Sequence, residues 1–288
     1  MPFYVRIDTS SGDNAFMKQN SKTLIKVLIF LLLYFLTQAL ITAIFAAIGG
    51  MGVEGDIQGA METYIAENAA LISLVHNALV ILLILLYCRR SAETREDVRL
   101  RSIRCIELTC CAATGVCAAF IVVTLLSLLP IPGELMSSYS SAITASTAGA
   151  PPVRFLSVVI VAPIAEELLF RGVIYGAFRR TSRRGVAIAA SCAIFGIMHQ
   201  NPVWMVYAFL MGLGLTLTLD ACGSLFAATA LHMAFNLAGS YLAPLIYAMP
   251  IYIHILLALG CGYIVGYCIR RMKELPKPST DTQSEKEE

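Results

Sequence analysis

Long apolar runs joined by short polar segments dominate the chain. They fall at roughly 23–49, 68–88, 105–129, 153–178, 185–201, 203–221, 224–242 and 245–269. A helix needs about 20 apolar residues to cross the hydrocarbon core of a bilayer. The pattern therefore predicts an all-α polytopic membrane protein with about eight transmembrane helices. The runs at 185–201 and 224–242 are somewhat short, so six or seven crossings with one re-entrant piece also satisfy it. No internal repeat is evident, and no linker is long enough to join two domains. The expected organisation is a polar cytoplasmic segment at 1–22, one transmembrane domain at 23–271, and a polar, disordered tail at 272–288.

Composition agrees with the pattern and charge adds a direction. With 58% hydrophobic and 14% charged residues and a mean hydropathy of +0.74, a soluble domain of 288 residues is excluded. The net charge of +2 says little, but its placement says more. Lys18, Lys22 and Lys26 open the first run, and the next joint holds Glu54, Asp56, Glu62 and Glu67 without a base. Basic residues return at Arg89–Arg104, at Arg179–Arg184 and at Arg270–Lys273. Cytoplasmic joints carry the excess of Lys and Arg, so both termini are expected in the cytoplasm and the number of crossings is even. The first run is too long for a cleaved signal peptide and reads as an anchor. The compact size suits an integral protein of a bacterial plasma membrane. Glu93, Glu96 and Asp97 are interspersed among the loop arginines, which reads as topology and lipid contact and gives no nucleic-acid partner. Nine scattered cysteines with no CxxC pair suggest neither a disulfide framework nor a zinc finger.

Three polar clusters interrupt the apolar runs. Ionisable groups at bilayer depth are costly and usually mark a working site. In 153–178 stand Glu166, Glu167 and Arg171. Glu167 and Arg171 are four apart and can pair on one helical face, whereas Glu166 points about 100° away. Pro163 removes a backbone donor one turn earlier and can kink the helix. A buried ion pair locking two helices would explain Glu167 and Arg171 but leaves Glu166 unaccounted for. Phe195 and His199 share a face of the 185–201 run, with Gly196 allowing close helix approach. His232 and Asn236 share a face of the 224–242 run. Each histidine taken alone also reads as a packing device, hydrated at a helix end or bridging helices. At about 1.5 Å per residue, Glu166, His199 and His232 all stand roughly 18–20 Å from the basic joints, so three helices can bring them to one level. His76 and His254 read as interhelical hydrogen bonds, and Trp204, Tyr247 and Tyr252 as interfacial anchors.

The order EExxxR, FxxxH, HxxxN on successive core helices resembles the CPBP family of intramembrane proteases, which includes CAAX prenyl endopeptidases and bacterial abortive-infection and bacteriocin-immunity proteins. The resemblance covers about 153–242. It implies helices around a hydrophilic cavity and an endopeptidase acting on membrane-associated peptides or proteins in the lipid bilayer. Glu166 with His199 would activate water, and His232 with Asn236 would hold the oxyanion. Glu167 and Arg171 would orient Glu166, with Phe195 in support. Glu166, His199 and His232 could also ligate zinc or another divalent metal, although no HExxH is present and metal-free chemistry is equally compatible. Two other classes compete: a non-catalytic immunity or chaperone-like protein that binds a partner in the bilayer, and an ion or proton transporter, which the lack of repeats disfavours.

Overall fold

The computed structural model describes residues 10–274, which form helices and joints without a strand among them. The elements are α1 Ser10–Gly50, α2 Ile57–Glu67, α3 Ala69–Arg90, α4 Ala92–Val98, α5 Cys105–Leu128 and α6 Gly133–Ser146. They continue with α7, an unbroken helical run at 151–181, then α8 Arg184–Ile197, α9 Pro202–Cys222, α10 Leu225–Tyr247 and α11 Ile251–Glu274. Six helical stretches are long and apolar enough to cross a membrane: Gln19–Gly50, Ala69–Arg90, Cys105–Leu128, Pro202–Cys222, Leu225–Tyr247 and Ile251–Met272.

The expected count of eight is thus met only in part. Of the two remaining runs, 153–178 lies inside α7, which carries the ionisable cluster. The other, 185–201, reduces to α8, a 14-residue helix that is about 21 Å long at 1.5 Å per residue. The polar start at 1–22 is helical from Ser10 onward, and 272–274 continue α11. The rest of those two segments lies outside the described residues.

Joint chemistry explains the tight connections. Asn201 Oδ1 accepts from the Val203 and Trp204 amides and Pro202 follows it, starting α9 directly after α8. Gly223 takes a left-handed φ of 65° and ends α9, and Ser224 then caps α10. Ser224 also donates to the Arg101 carbonyl. This end of the bundle is tied together by charge. Arg180 holds Asp97 at 2.8 Å and Lys26 reaches Glu93 at 3.3 Å. Asp220 accepts from Arg99 at 3.2 Å, Arg184 at 2.8 Å and Tyr175 at 2.7 Å. Burial pushes the Asp97 carboxyl up, and Arg180 partly counters it. At the opposite end α6 lies across the bundle. Tyr139 meets Tyr207 at 3.3 Å between hydroxyls, and Asn201 Nδ2 donates to Ser138 Oγ at 3.1 Å.

The nine cysteines are free, as their spacing suggests. His76 Nε2 donates to the Tyr34 carbonyl, 3.1 Å away, and joins α3 to α1 as expected. His254 departs from expectation: only its backbone carbonyl bonds a neighbouring helix, through Thr124 at 3.2 Å, and its Nδ1 has no partner.

Helix α10 is set against α5 at Gly115. A Cβ there would fall inside contact with the Leu231 carbonyl oxygen and 3.0 Å from Ala234 Cβ. The obstacle is mostly backbone, one residue before His232, and it cannot rotate away. Gly115→Val should cost about 1–3 kcal/mol, the range for overpacking, as a lower midpoint of unfolding in detergent. An unchanged midpoint would contradict this contact.

Candidate active site

The site grows out of α7. Two stretches of this helix, Leu156–Val161 and Glu167–Tyr175, adopt the wider π form, in which hydrogen bonds run to the fifth residue and which often accompanies function. Pro163 explains the first. It has no N–H, and the Ala162 amide donates to Ser157 rather than to Val158. The Val158 carbonyl therefore loses both of its usual donors along the helix. Asn236 Nδ2 from α10 supplies the replacement at 2.9 Å. The break expected at Pro163 appears as this widened turn, capped from another helix.

The second π stretch is packed on all sides: every residue from Glu167 to Tyr175 is buried. Glu167 and Arg171 pair at 3.0 Å with side-chain exposures of 0% and 1%. The same Glu167 oxygen, Oε1, lies 2.8 Å from His232 Nδ1. Phe195 completes the arrangement, with the Arg171 guanidinium 4.2 Å from its ring centroid and the His199 and His232 rings at 4.9 and 6.0 Å. Sequence spacing finds the ion pair, but not that Glu167 is aimed at His232. In the fold, the pair orients that imidazole.

Glu166 is different. Its side chain is 21% exposed and lies in the wall of a cavity of about 700 Å³. Its Oε2 is 3.7 Å from His232 Nε2. His199, Phe195, His232 and Asn236 line the same cavity, so the three clusters of the sequence converge there. The wall is mixed, with Val122, Leu126, Met136, Ile143 and Met211 beside Ser140, Thr144 and Arg154. A separate apolar pocket of about 240 Å³ between α1 and α3 holds none of these groups.

Two hydrogen bonds assign the imidazoles. A carboxylate and a carbonyl can only accept, so His232 carries its proton on Nδ1 toward Glu167. His199 likewise carries it on Nδ1 toward the Phe195 carbonyl, 2.8 Å away. In the neutral form of each ring, Nε2 is then a lone-pair acceptor. Such tautomers suit metal ligands as well as bases. Yet among the described residues no three His, Cys, Asp or Glu side chains are grouped so as to hold a metal ion.

Several members of the site are not evident from the sequence. Trp204, expected at the interface, packs its ring tilted against His199 with the centroids 5.1 Å apart, and lines the cavity. Tyr139, Tyr207 and Asn201 fasten α6 over it. The one available signal was proximity: Asn201 and Trp204 follow His199 within a turn and a half.

The buried pair makes a sharp prediction. Removing one partner strands the other charge at a cost of about 3–5 kcal/mol. Arg171→Ala should therefore lower unfolding stability by that amount in detergent, while Glu166→Gln, at a cavity wall, should change it by less than about 0.5 kcal/mol. Equal effects would contradict the division between a structural and an accessible glutamate.

Comparison with known proteins follows the same residues. No curated protein and no solved structure matches the chain. Residues 148–238 match the family model described as Type II CAAX prenyl endopeptidase Rce1-like, a stretch that contains Glu166, Glu167, Arg171, Phe195, His199, His232 and Asn236. Six helices among the described residues are long and apolar enough to cross a bilayer, and the chain is an integral membrane protein whose residues 148–238 are similar to Rce1-like endopeptidases, consistent with the CPBP family of intramembrane proteases.

Proposed function

We propose that the protein is an intramembrane endopeptidase that cleaves membrane-associated peptides or proteins, with both termini in the cytoplasm. The observation that carries this reading is the approach of Glu166 Oε2 to His232 Nε2, 3.7 Å apart at the cavity wall, with the neutral imidazole offering its Nε2 lone pair there. The gap is too long for a direct hydrogen bond and suits one bridging water. A water donating one hydrogen to each acceptor turns its lone pairs toward the cavity. As it attacks the scissile carbonyl, its proton passes to Glu166, which acts as general base and then delivers that proton to the leaving amine.

His232 contributes by being held still. Glu167 fixes its tautomer and ring plane, as a buried carboxylate does for a catalytic histidine in hydrolases. Asn236 has one amide hydrogen on the Val158 carbonyl, which fixes the side chain. Its other hydrogen is the donor for the oxyanion, where one such bond is worth about 3 kcal/mol. His199, backed by Trp204 and Phe195, faces the same space and is the second imidazole available to the leaving group.

The test compares peptide and protein termini in host membranes expressing wild type or Glu166→Gln at matched levels. New termini should appear with wild type and fall by at least about 100-fold in the variant, the lower range for losing an acid–base group. Identical profiles would overturn the reading. On a substrate so identified, Asn236→Ala should lower turnover by about 100-fold and change KM little; a rise of about 100-fold in KM alone would assign Asn236 to binding. Cleavage by purified enzyme should survive a divalent-metal chelator within about two-fold, since no step of this scheme runs through a metal. Abolition by chelator with rescue by zinc would replace the scheme with a metal-bound one.

A further inference from the structure

We infer that the active-site cavity opens on the membrane face away from the basic joints, so that its substrates are peptide segments presented outside the cytoplasm. This rests on the endopeptidase reading and adds the side from which it is served.

The two ends of the bundle differ in charge almost completely. Between residues 10 and 274, every Lys and Arg except Arg154 and Arg171 belongs to one end. Contacts tie these residues together there: Lys26 to Glu93, Arg180 to Asp97, and Arg99 and Arg184 to Asp220. The Met272 sulphur, 4.0 Å from Cys111 and 3.9 Å from Cys222, brings the basic end of α11 to the same place. The opposite end carries Glu54, Asp56, Glu62, Glu67 and Glu134. Cytoplasmic joints are the basic ones, so the acidic end faces outward. Arg171 is buried in the ion pair. Arg154 belongs to the cavity wall, its guanidinium 5.7 Å from the Tyr241 ring centroid, and one cation does not offset the rest.

The cavity belongs to the acidic end. Its outer lining comes from Tyr139, Ile143 and Ser146 of α6, Thr147 just beyond, Arg154 at the start of α7, and Tyr247 at the end of α10. Toward the basic end the nine buried residues Glu167–Tyr175 fill the space below Glu166. The short α8 explains the well. Starting at Arg184 on the basic side, its roughly 21 Å stops short of the roughly 30 Å hydrocarbon thickness. His199 is thus left recessed beneath α6, a helix with no fully buried residue. Glu166 lies twelve residues past Arg154, at most about 18 Å deeper along α7. An extended peptide covers that depth in about five or six residues. A segment confined to the cytoplasm meets the basic joints and the packed floor instead.

The test uses the full chain in cells. Ser146 is exposed at the cavity rim, and Cys105 is an exposed native thiol at the basic end. A membrane-impermeant sulphonated maleimide should label Ser146→Cys, in a Cys105→Ser background, at least ten-fold faster in intact cells than in inside-out vesicles. Cys105 of the parent should show the reverse order. Inverted labelling, in a variant that retains its cleavage activity, would overturn the inference. The second arm uses single-span reporters with randomised segments beside the membrane on one face or the other. Cleavage lost in Glu166→Gln should be confined to segments on the outer face. Glu166-dependent cleavage confined to the cytoplasmic face would sink this inference and leave the endopeptidase reading standing. No Glu166-dependent cleavage on either face would overturn the endopeptidase reading, and the substrate assignment with it, while the labelling still reported which way the cavity faces.

Discussion

A carboxylate and a guanidinium with no exposure to solvent, in the middle of an apolar helix, set the terms for the rest of the structure. Taking either charge out of water costs several kcal/mol even after relaxation, and lipid offers no substitute for the lost hydration. Glu167 meets this cost with Arg171 on its own helix and His232 on α10, both on the same oxygen. Arg171 has the Phe195 ring from α8 beneath it. Three helices are thereby referred to one buried ion pair, and none can shift far without exposing a charge to hydrocarbon. The arrangement stabilises little in net terms. What it confers is position, because an imidazole held through its Nδ1 presents Nε2 to the cavity in a single orientation.

A second constraint acts on the backbone. In a bilayer every peptide group must find its partner inside the protein, and Pro163 makes that impossible for α7 alone. The widened turn before it and the Asn236 side chain that reaches Val158 are one solution to that deficit. Glu166 and Glu167 stand where the α stretch of this helix passes into its second π stretch, and they approach His232 from two sides, one near each ring nitrogen. One of them is sealed while the other keeps a face on the cavity.

These two constraints explain which parts were legible in the sequence. Span-length apolar runs are a property of single segments, and most of them could be read directly. The Glu167–Arg171 spacing and the three clusters were equally local. The run at 153–178 was legible as a candidate site because its ionisable residues break the apolar pattern, and α8 was over-read because the helix ends at Ile197 while the run was carried on through the turn to Asn201. The Glu167–His232 bond, the packing of Trp204 against His199 and the seating of α6 depend on which helix faces which, and spacing along one chain does not encode that. Asn236 was legible as a polar group near His232. Its hold on Val158 was not, since that follows from a hydrogen-bond deficit on another helix.

The proposed hydrolysis needs water at a depth where water is excluded, and the fold offers a route to it by economy of length. Ending α8 early and starting α9 at Pro202 leaves a well with His199 at its upper edge and Glu166 in its wall. The floor is the best-packed stretch of the chain, and it is also the stretch that holds the ion pair. Water can therefore reach Glu166 without reaching Glu167, although the two are adjacent in sequence. That separation keeps the attractive force between Glu167, Arg171 and His232 in a low-dielectric setting, where it is strong. It leaves Glu166 where a proton can arrive and depart. A single carboxylate could not be both a rigid anchor and an exchangeable base, and in the proposed mechanism the doubled glutamate of α7 divides the two tasks between neighbours.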